Sequence, residues 1–255
     1  MTYIYADNAA TTRLSDAAFE AMKPYMLNEY GNASTLYKLG RSAHKAVENA
    51  RGVFAKGINA LPAEIYFTSG GTESDNWAIK GTAHRLAASG KKHIVTDNIE
   101  HHAVLNSAKA LEREGFEVTY VSSDKNGLVR AEDVAAAIRP DTALVSVMFA
   151  NNELGTIQPV AEIGSICRSE GVLFHCDAVQ AAGILPIDVK QMNIDLLSMS
   201  AHKFHGPKGV GIMYARRGCV PETYIDGGEQ ERGHRAGTEN VAGIVGAAAA
   251  FAEAM

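Results

Sequence analysis

Four side chains that can do chemistry lie within six residues of one glycine-rich stretch, MSAHKFHGPKGVG, at positions 199–211. They are Ser200, His202, Lys203 and His205. Three chemistries compete here: metal binding by the two histidines, a phosphate-binding loop, and a lysine that forms a covalent bond. No carboxylate or cysteine has a matching metal-ligand spacing, and a strand pattern rather than a helix follows the glycines. The lysine gains a function only if other groups converge on it.

A second candidate is the turn SGGTES at 69–74, between a predicted strand and a predicted helix. Free backbone N–H groups and the positive helix end favour an anion there, and glycine allows a close approach. The turn matches neither a Walker A loop nor GxGxxG. Capping of the helix by Ser69 or Thr72 is an equally open interpretation.

A third candidate is Asp177, which ends a mostly apolar run. A carboxylate in such a place needs a partner, because its desolvation is otherwise costly. One interpretation is a helix cap or an ion pair. The other is a carboxylate that holds a proton on a ring nitrogen.

The order of the predicted elements indicates where these groups meet. Short apolar strands are predicted at 64–70, 92–97, 116–123, 142–150, 172–179, 194–201 and 209–216, and helices at 71–89, 102–115, 130–138 and 160–171. This alternation predicts one α/β domain, with a mostly parallel sheet covered by helices on both faces. About seven residues join the last two strands, which is too short for a crossover, so one antiparallel strand is expected. Ligands bind beyond the carboxyl ends of such strands, and five ends here deliver polar residues.

The composition favours a small-molecule partner. Of 255 residues, 46% are apolar and 21% charged, and the net charge is −5, which gives no basic surplus for nucleic acid or an anionic membrane. No apolar run reaches the roughly 18 residues of a membrane span, and no signal peptide is evident. Cys167, Cys176 and Cys219 are odd in number and lack CxxC spacing, so a cytoplasmic location is expected.

The individual signals are weak, but their order along the chain is specific. The motifs are YADNAATT, FTSGGTESDN, EHHAV, NNELGTIQP, HCDAVQ, SAHKFHGPKGVG and GGEQERGHRAGTEN. Together they resemble the cysteine desulfurase family, in class V of the fold-type I pyridoxal-phosphate enzymes, and the match runs along essentially the whole chain. The resemblance implies the large domain of that fold and pyridoxal 5'-phosphate as cofactor.

The resemblance also implies roles at matching positions. Lys203 would bond the cofactor covalently, and His101 would stack on its ring and shuttle protons. The other cofactor contacts would come from Gly71, Thr72, Asn152, Asp177, Gln180, Ser200, His202 and Thr238. In this set Asp177 would pair with the ring nitrogen and Gln180 with the phenolic oxygen. Thr238 would reach the phosphate of a neighbouring subunit, which implies a homodimer, whereas His102 and His175 are taken as structural and His205 stays unassigned.

The length of the chain departs from the family pattern. The resemblance implies an N-terminal segment near the site at 1–14 and the cofactor domain at 15–255, with the C-terminal small domain and its nucleophilic cysteine loop missing. Each of the three cysteines is expected to be structural, because Cys176 alternates away from Asp177 on its strand and Cys167 lies in a predicted helix. The 255-residue chain alone is therefore expected to bind cofactor weakly and not to turn over.

The implied reaction converts L-cysteine to L-alanine and passes sulfur to an enzyme-bound persulfide, for an iron–sulfur scaffold or thiolation protein as acceptor. Two alternatives stay open. One is another class V reaction, such as transamination or a selenocysteine or cysteine lyase. The other is an inactive cofactor-domain fragment that needs a partner to supply the small domain.

Overall fold

A computed structural model describes residues 4–255; residues 1–3 of the predicted N-terminal segment lie outside the described residues. The helices are α1 (Asp16–Leu27), α2 (Lys38–Gly57), α3 (Gly71–Asn76), α4 (Thr82–Ala87), α5 (His102–Arg113), α6 (Ala131–Ala137), α7 (Val160–Glu170) and α8 (Val241–Ala254). The strands are β1 (Ile65–Thr68), β2 (His93–Asp97), β3 (Glu117–Val121), β4 (Thr142–Ser146), β5 (Leu173–Asp177), β6 (Leu196–Ser200) and β7 (Gly211–Ala215). Between residues 4 and 255 no helix is both long and apolar enough to cross a membrane.

The seven strands form one sheet in the order β1-β7-β6-β5-β4-β2-β3. Neighbours from β6 to β3 run parallel, and β7 runs antiparallel to both β1 and β6. The prediction of a mostly parallel sheet with one antiparallel strand is confirmed. The short link from β6 to β7 forces the chain to turn straight back, as expected for strands without a helical crossover.

Apolar clusters cover both faces of the sheet, which confirms the prediction of helices on each side. One cluster gathers side chains of α1, α2, α7 and α8 around Phe54, which is fully buried. Phe54 packs edge-on to Phe67 and Phe204 and stacks on Phe251 with ring centroids 4.9 Å apart. The other cluster centres on Trp77 and α5. Strands that are apolar on both faces are thereby removed from water.

The first two helices differ from expectation, because no helix was predicted before residue 71. The reason for α2 lies in a weak but regular signal of small residues. Ala43, Val47, Ala50 and Phe54 are buried at helical spacing on one face. Alanine contributes little to an apolar pattern, so this face gives only a weak helical signal in the sequence.

The helix that follows β1 contains one wider turn. Between α3 and α4 the backbone adopts a π-helical turn at Trp77–Gly81, so that the segment predicted as one helix over 71–89 has three parts. Trp77 is fully buried there and its indole Nε1 donates to the carbonyl of Glu222 at 2.8 Å. Such turns interrupt helices where a side chain must be re-aimed. Here the turn seats Trp77 against Tyr66 of β1, with ring centroids 5.4 Å apart.

Candidate active site

One cavity of about 340 Å³ opens at the carboxyl ends of the parallel strands, a size typical of small-molecule sites. Nine of the ten predicted site residues line it: Gly71, Thr72, His101, Asn152, Asp177, Gln180, Ser200, His202 and Lys203. The tenth, Thr238, is exposed and lines a separate, smaller pocket beside Ser69 and Arg235. The roles given to these residues stay predictions, while their meeting place is an observation.

The carboxylate at the end of β5 lies at the wall of the cavity. Asp177 is 5% exposed, and its Oδ1 accepts the backbone N–H of Val179 at 2.9 Å. Burial raises the pKa of Asp177, while the backbone hydrogen bond and the charges of His101 and Lys203 oppose that rise. A carboxylate in this position is stabilised as an anion by a cationic partner in the cavity.

The lysine follows β6 after a single tight turn, Ala201–Lys203. Its Nζ donates to the carbonyls of Ala9 and Ala10, the second at 3.1 Å. Burial lowers the pKa of the Lys203 amine, against the charges of Asp177 and Asp7. A lowered pKa increases the share of free amine, which is the form that attacks an aldehyde.

The histidines of the site have distinct surroundings. His101 lines the cavity and directly precedes α5, and its Nδ1 caps that helix by accepting the N–H of Ala103 at 3.1 Å. Because Nδ1 is occupied as an acceptor, Nε2 is the ring nitrogen left to exchange a proton. His202 pairs through Nδ1 with the Thr11 hydroxyl at 3.1 Å, and burial lowers its pKa.

Ala9 and Ala10, near the N-terminus, line the cavity, and neighbouring residues contact the loop of Lys203. The side-chain amide of Gln180 donates to the Ala9 carbonyl at 3.0 Å, and Thr12 donates through its backbone to the His202 carbonyl at 2.9 Å. His205, which the sequence left unassigned, belongs to this contact. It has a positive φ of 63°, and its backbone N–H donates to the Thr12 hydroxyl at 2.8 Å.

The metal interpretation of His202 and His205 finds no support. The two imidazoles bind Thr11 and the Arg13 carbonyl respectively, which separates them onto different partners. Across residues 4–255 no group of three or more histidine, cysteine, aspartate or glutamate side chains could hold a metal ion.

The cavity lining includes one ionisable residue that is absent from the predicted set, Asp75. It is 1% exposed, and its Oδ1 has no hydrogen-bond partner and lies 3.6 Å from His175 Nε2. Burial and the charge of Asp177 raise the pKa of Asp75 well above its usual range. The signal was available, since residues 71 and 75 are four apart and share one helix face.

The three cysteines lie outside the cavity lining and are all buried as free thiols. Burial raises the pKa of Cys167 to about 12, that of Cys176 far above its ordinary value, and that of Cys219 as well. Such thiols are poor nucleophiles, because the thiolate is the reactive form.

An α/β sheet of this order, with a lysine, an aspartate and a glycine-containing turn at one rim, has the architecture of the fold-type I class. The chain belongs to the aminotransferase class-V family, whose family model matches residues 4–254. It is 55% identical over 243 residues to the cysteine desulfurase IscS of Methanosarcina thermophila, covering 95% of this chain and 60% of that protein. The IscS of Clostridium botulinum strain Hall is 54% identical, with coverages of 99% and 63%. The chain therefore spans about 60% of the length of the curated relatives it matches.

Solved structures agree in fold. A NifS-like protein superposes with a TM-score of 0.96 at 45% identity, covering 99% of this chain and 70% of that one. A structure described as SspA in complex with cysteine gives 0.95 at 42% identity, with coverages of 98% and 72%.

Pyridoxal 5'-phosphate is the cofactor of this family, and the cavity fits it. A Cβ on Gly71 would stand 2.6 Å from Val179 Cγ2, so glycine is needed for the turn to lie this close to the opposite cavity wall. Thr72, Ser200 and His202 add polar side chains beside it. The buried Asp177 suits a ring N–H, and Lys203 suits an aldehyde.

Proposed function

We propose that this chain is the cofactor domain of a cysteine desulfurase, which converts L-cysteine to L-alanine and passes the sulfur to a thiol. The observation that carries the proposal is the convergence of Lys203, Asp177 and His101 with the 69–74 turn in one cavity. The similarity to proteins named cysteine desulfurase selects L-cysteine among the substrates that such a site could take.

Each side chain has a stated task in the proposal. Gly71, Thr72, Ser200 and His202 bind the phosphate, and Asp177 holds a proton on the ring nitrogen. The bound cofactor supplies the electron sink for the carbanion at the substrate Cα. Lys203 Nζ takes the Cα proton, since its lowered pKa favours the free amine. His101 Nε2 moves protons, while Gln180 and Asn152 orient the ring and the substrate.

The sulfur-accepting thiol comes from outside residues 4–255 in this proposal. Cys167, Cys176 and Cys219 are buried with raised pKa values and do not line the cavity. The protein would work as a homodimer in the cytoplasm, with Thr238 reaching toward the partner subunit. Thr238 is exposed and lies outside the cavity, which supports a contact with the partner subunit. The final sulfur acceptor would be an iron–sulfur scaffold or a thiolation protein.

The alternative is another class V reaction, a transamination or a cysteine or selenocysteine lyase, because the same cofactor residues serve all of them. Product analysis separates the two. The protein is incubated with L-cysteine and dithiothreitol, alone and fused to the segment that follows the matched region in the Methanosarcina thermophila relative.

We expect little turnover from the chain alone, and alanine with an equal amount of sulfide from the fusion. Pyruvate in place of alanine would assign a lyase, and a keto acid formed without sulfide release would assign a transaminase. Lys203→Ala in the fusion serves as the inactive control. Robust turnover by the chain alone that survives replacement of its three cysteines would contradict the assigned source of the thiol.

A further inference from the structure

The turn that faces the cavity is closed by an acidic side chain. Glu73 lies in the first turn of α3, and its Oε2 accepts the backbone N–H of Ser69 at 2.9 Å as well as the Ser69 hydroxyl. These contacts join Ser69 to Glu73 within the 69–74 turn. Gly71 and Thr72, which lie between them in the chain, line the cavity. The Glu73 side chain is 11% exposed whereas Ser69 is exposed, so only the Glu73 side of this closure is removed from water.

An acidic residue at this place raises an electrostatic difficulty. A carboxylate in the first helical turn interacts favourably with the helix dipole. It also repels any second anion that binds at the same helix end, and a phosphate carries up to two negative charges there. Partial burial makes the repulsion stronger, because solvent screens it less.

Arg235 resolves the difficulty. Its Nε donates to Glu73 Oε1 at 2.7 Å and its Nη2 to Oε2 at 3.2 Å, a two-point contact across 162 positions of chain. Burial opposes ionisation of Glu73, but the hydrogen bonds from Arg235 and Ser69 prevail and lower the pKa of this carboxyl. Glu73 is therefore a true anion, and Arg235 is its counter-charge.

We propose that Arg235 is a positioning residue that adapts the 69–74 turn to a doubly charged phosphate, by neutralising Glu73 while Glu73 holds the turn closed. Arg235 itself stays outside the cavity and acts only through Glu73. The inference rests on the cofactor site of the proposed function. It adds a determinant of phosphate selectivity to that site.

The test compares two probes that differ only in the phosphate, pyridoxal 5'-phosphate and pyridoxal. Dissociation constants for both are measured by absorbance and fluorescence titration of the wild-type protein and four variants. Arg235→Gln removes the counter-charge, and Arg235→Lys keeps it without the two-point geometry. Glu73→Gln with Arg235→Gln makes the pair neutral, and a glutamine oxygen can still accept the Ser69 N–H.

The matched control is Arg139→Gln. Arg139 also bonds two carboxylates, those of Glu117 and Asp141, but at the amino ends of β3 and β4, away from the cavity. Its replacement changes the net charge by the same amount, so it corrects for long-range effects.

We expect wild-type protein to prefer the phosphorylated probe, and Arg235→Gln to reduce that preference by about tenfold or more with little change in pyridoxal affinity. The double variant and Arg235→Lys should recover most of the preference, and Arg139→Gln should retain it. Equal weakening of both probes would assign a merely structural role and overturn the proposal. A double variant no better than Arg235→Gln, or a wild type without preference, would overturn it too. Because the readout is binding, it remains decisive even if L-cysteine is not the substrate.

Discussion

Charge and burial at single residues define the chemistry of the site. Lys203 and Asp177 face one cavity. Burial lowers the pKa of Lys203 and raises that of Asp177, so it favours the neutral form of each side chain. Lys203 would hold the aldehyde of the cofactor and Asp177 its ring N–H, and both contacts would offset these desolvation costs. Burial also raises the pKa of the three cysteine thiols. It therefore favours the reactive free amine of Lys203 and disfavours the reactive thiolates.

Thiol reactivity gives the first prediction. Cys167, Cys176 and Cys219 are buried with raised pKa values, so we expect iodoacetamide at neutral pH to leave them unmodified in the folded protein. All three should react after unfolding in guanidinium chloride. Mass spectrometry of both samples identifies which cysteines are alkylated. Rapid alkylation of any of them in the native state would restore it as a candidate nucleophile.

Acid stability gives the second prediction. His175 is fully buried between the Ser146 and Ser198 hydroxyls, and burial lowers its pKa to about 3. The unfolded chain, with an ordinary histidine pKa near 6.5, binds a proton that the folded chain refuses. The stability owed to neutral His175 is complete above about pH 6.5 and is lost as the pH falls toward 3.

We therefore expect the stability difference between wild type and His175→Gln to shrink by about 1.4 kcal/mol per pH unit between pH 6 and 4. Urea unfolding at several pH values provides the free energies. A difference that is constant across this range would mean that His175 is protonated in the folded protein.

At the scale of elements, the sequence predicted the strands well because each is a short apolar run ended by polar residues. The motif order placed Asp177 and Lys203 at neighbouring strand ends, and β5 and β6 are indeed paired. The helix α2 was not predicted because a face of small alanines gives little apolar contrast. Asp75 was not predicted because its only signal is its place on the helix face of Gly71, four residues away. Arg235 could not be linked to Glu73, since no local pattern connects residues 162 positions apart.

The close approach of β7 to the 69–74 turn gives the third prediction. A Cβ on Gly211 would stand 2.3 Å from Thr68 Oγ1 and 2.4 Å from the Gly70 carbonyl carbon. Gly211→Ala must therefore displace the turn, and overpacking of this kind costs about 1–3 kcal/mol. We expect cofactor affinity to fall about tenfold, as measured by titration.

Gly52→Ala is the matched control on α2, where a Cβ meets nothing within 4 Å. It should stabilise the fold by about 0.5–1 kcal/mol and leave cofactor affinity unchanged. If Gly211→Ala bound the cofactor as tightly as wild type, the strand would not support the turn.

At the scale of the whole molecule, one buried ion pair ties α2 to the loop that carries Arg235 and Thr238. Arg51 donates to both oxygens of Glu231 at 2.8 and 3.0 Å, and Glu231 Oε2 also accepts the N–H of Phe67 at 3.1 Å. Glu231 has a positive φ of 47°, so these contacts hold a turn that is unfavourable by itself. The same ion pair covers the edge strand β1, because Arg51 Nη1 also donates to the Ile65 carbonyl at 2.6 Å.

Breaking this pair gives the fourth prediction. Glu231→Gln removes the carboxylate that bonds both Nη atoms of Arg51 and leaves Glu48, 2.9 Å from Arg51 Nε, as the remaining charged partner. We expect the free energy of unfolding to fall by about 1–3 kcal/mol, because the buried guanidinium loses part of its compensation. Urea denaturation measures it. Glu20→Gln, which removes one partner of an exposed pair with Lys23, should change stability by less than about 1 kcal/mol. Equal effects of the two variants would show that the loop is not anchored through Arg51.

The central claim is that Lys203 bonds the cofactor in the cavity at the strand ends. Wild-type protein and Lys203→Ala are incubated with pyridoxal 5'-phosphate, reduced with borohydride, digested and mapped by mass spectrometry. The account predicts a phosphopyridoxyl group on the Lys203 peptide of the wild type, and a visible absorbance band before reduction that the variant lacks. Attachment mainly to another lysine, or an unchanged band in Lys203→Ala, would contradict it.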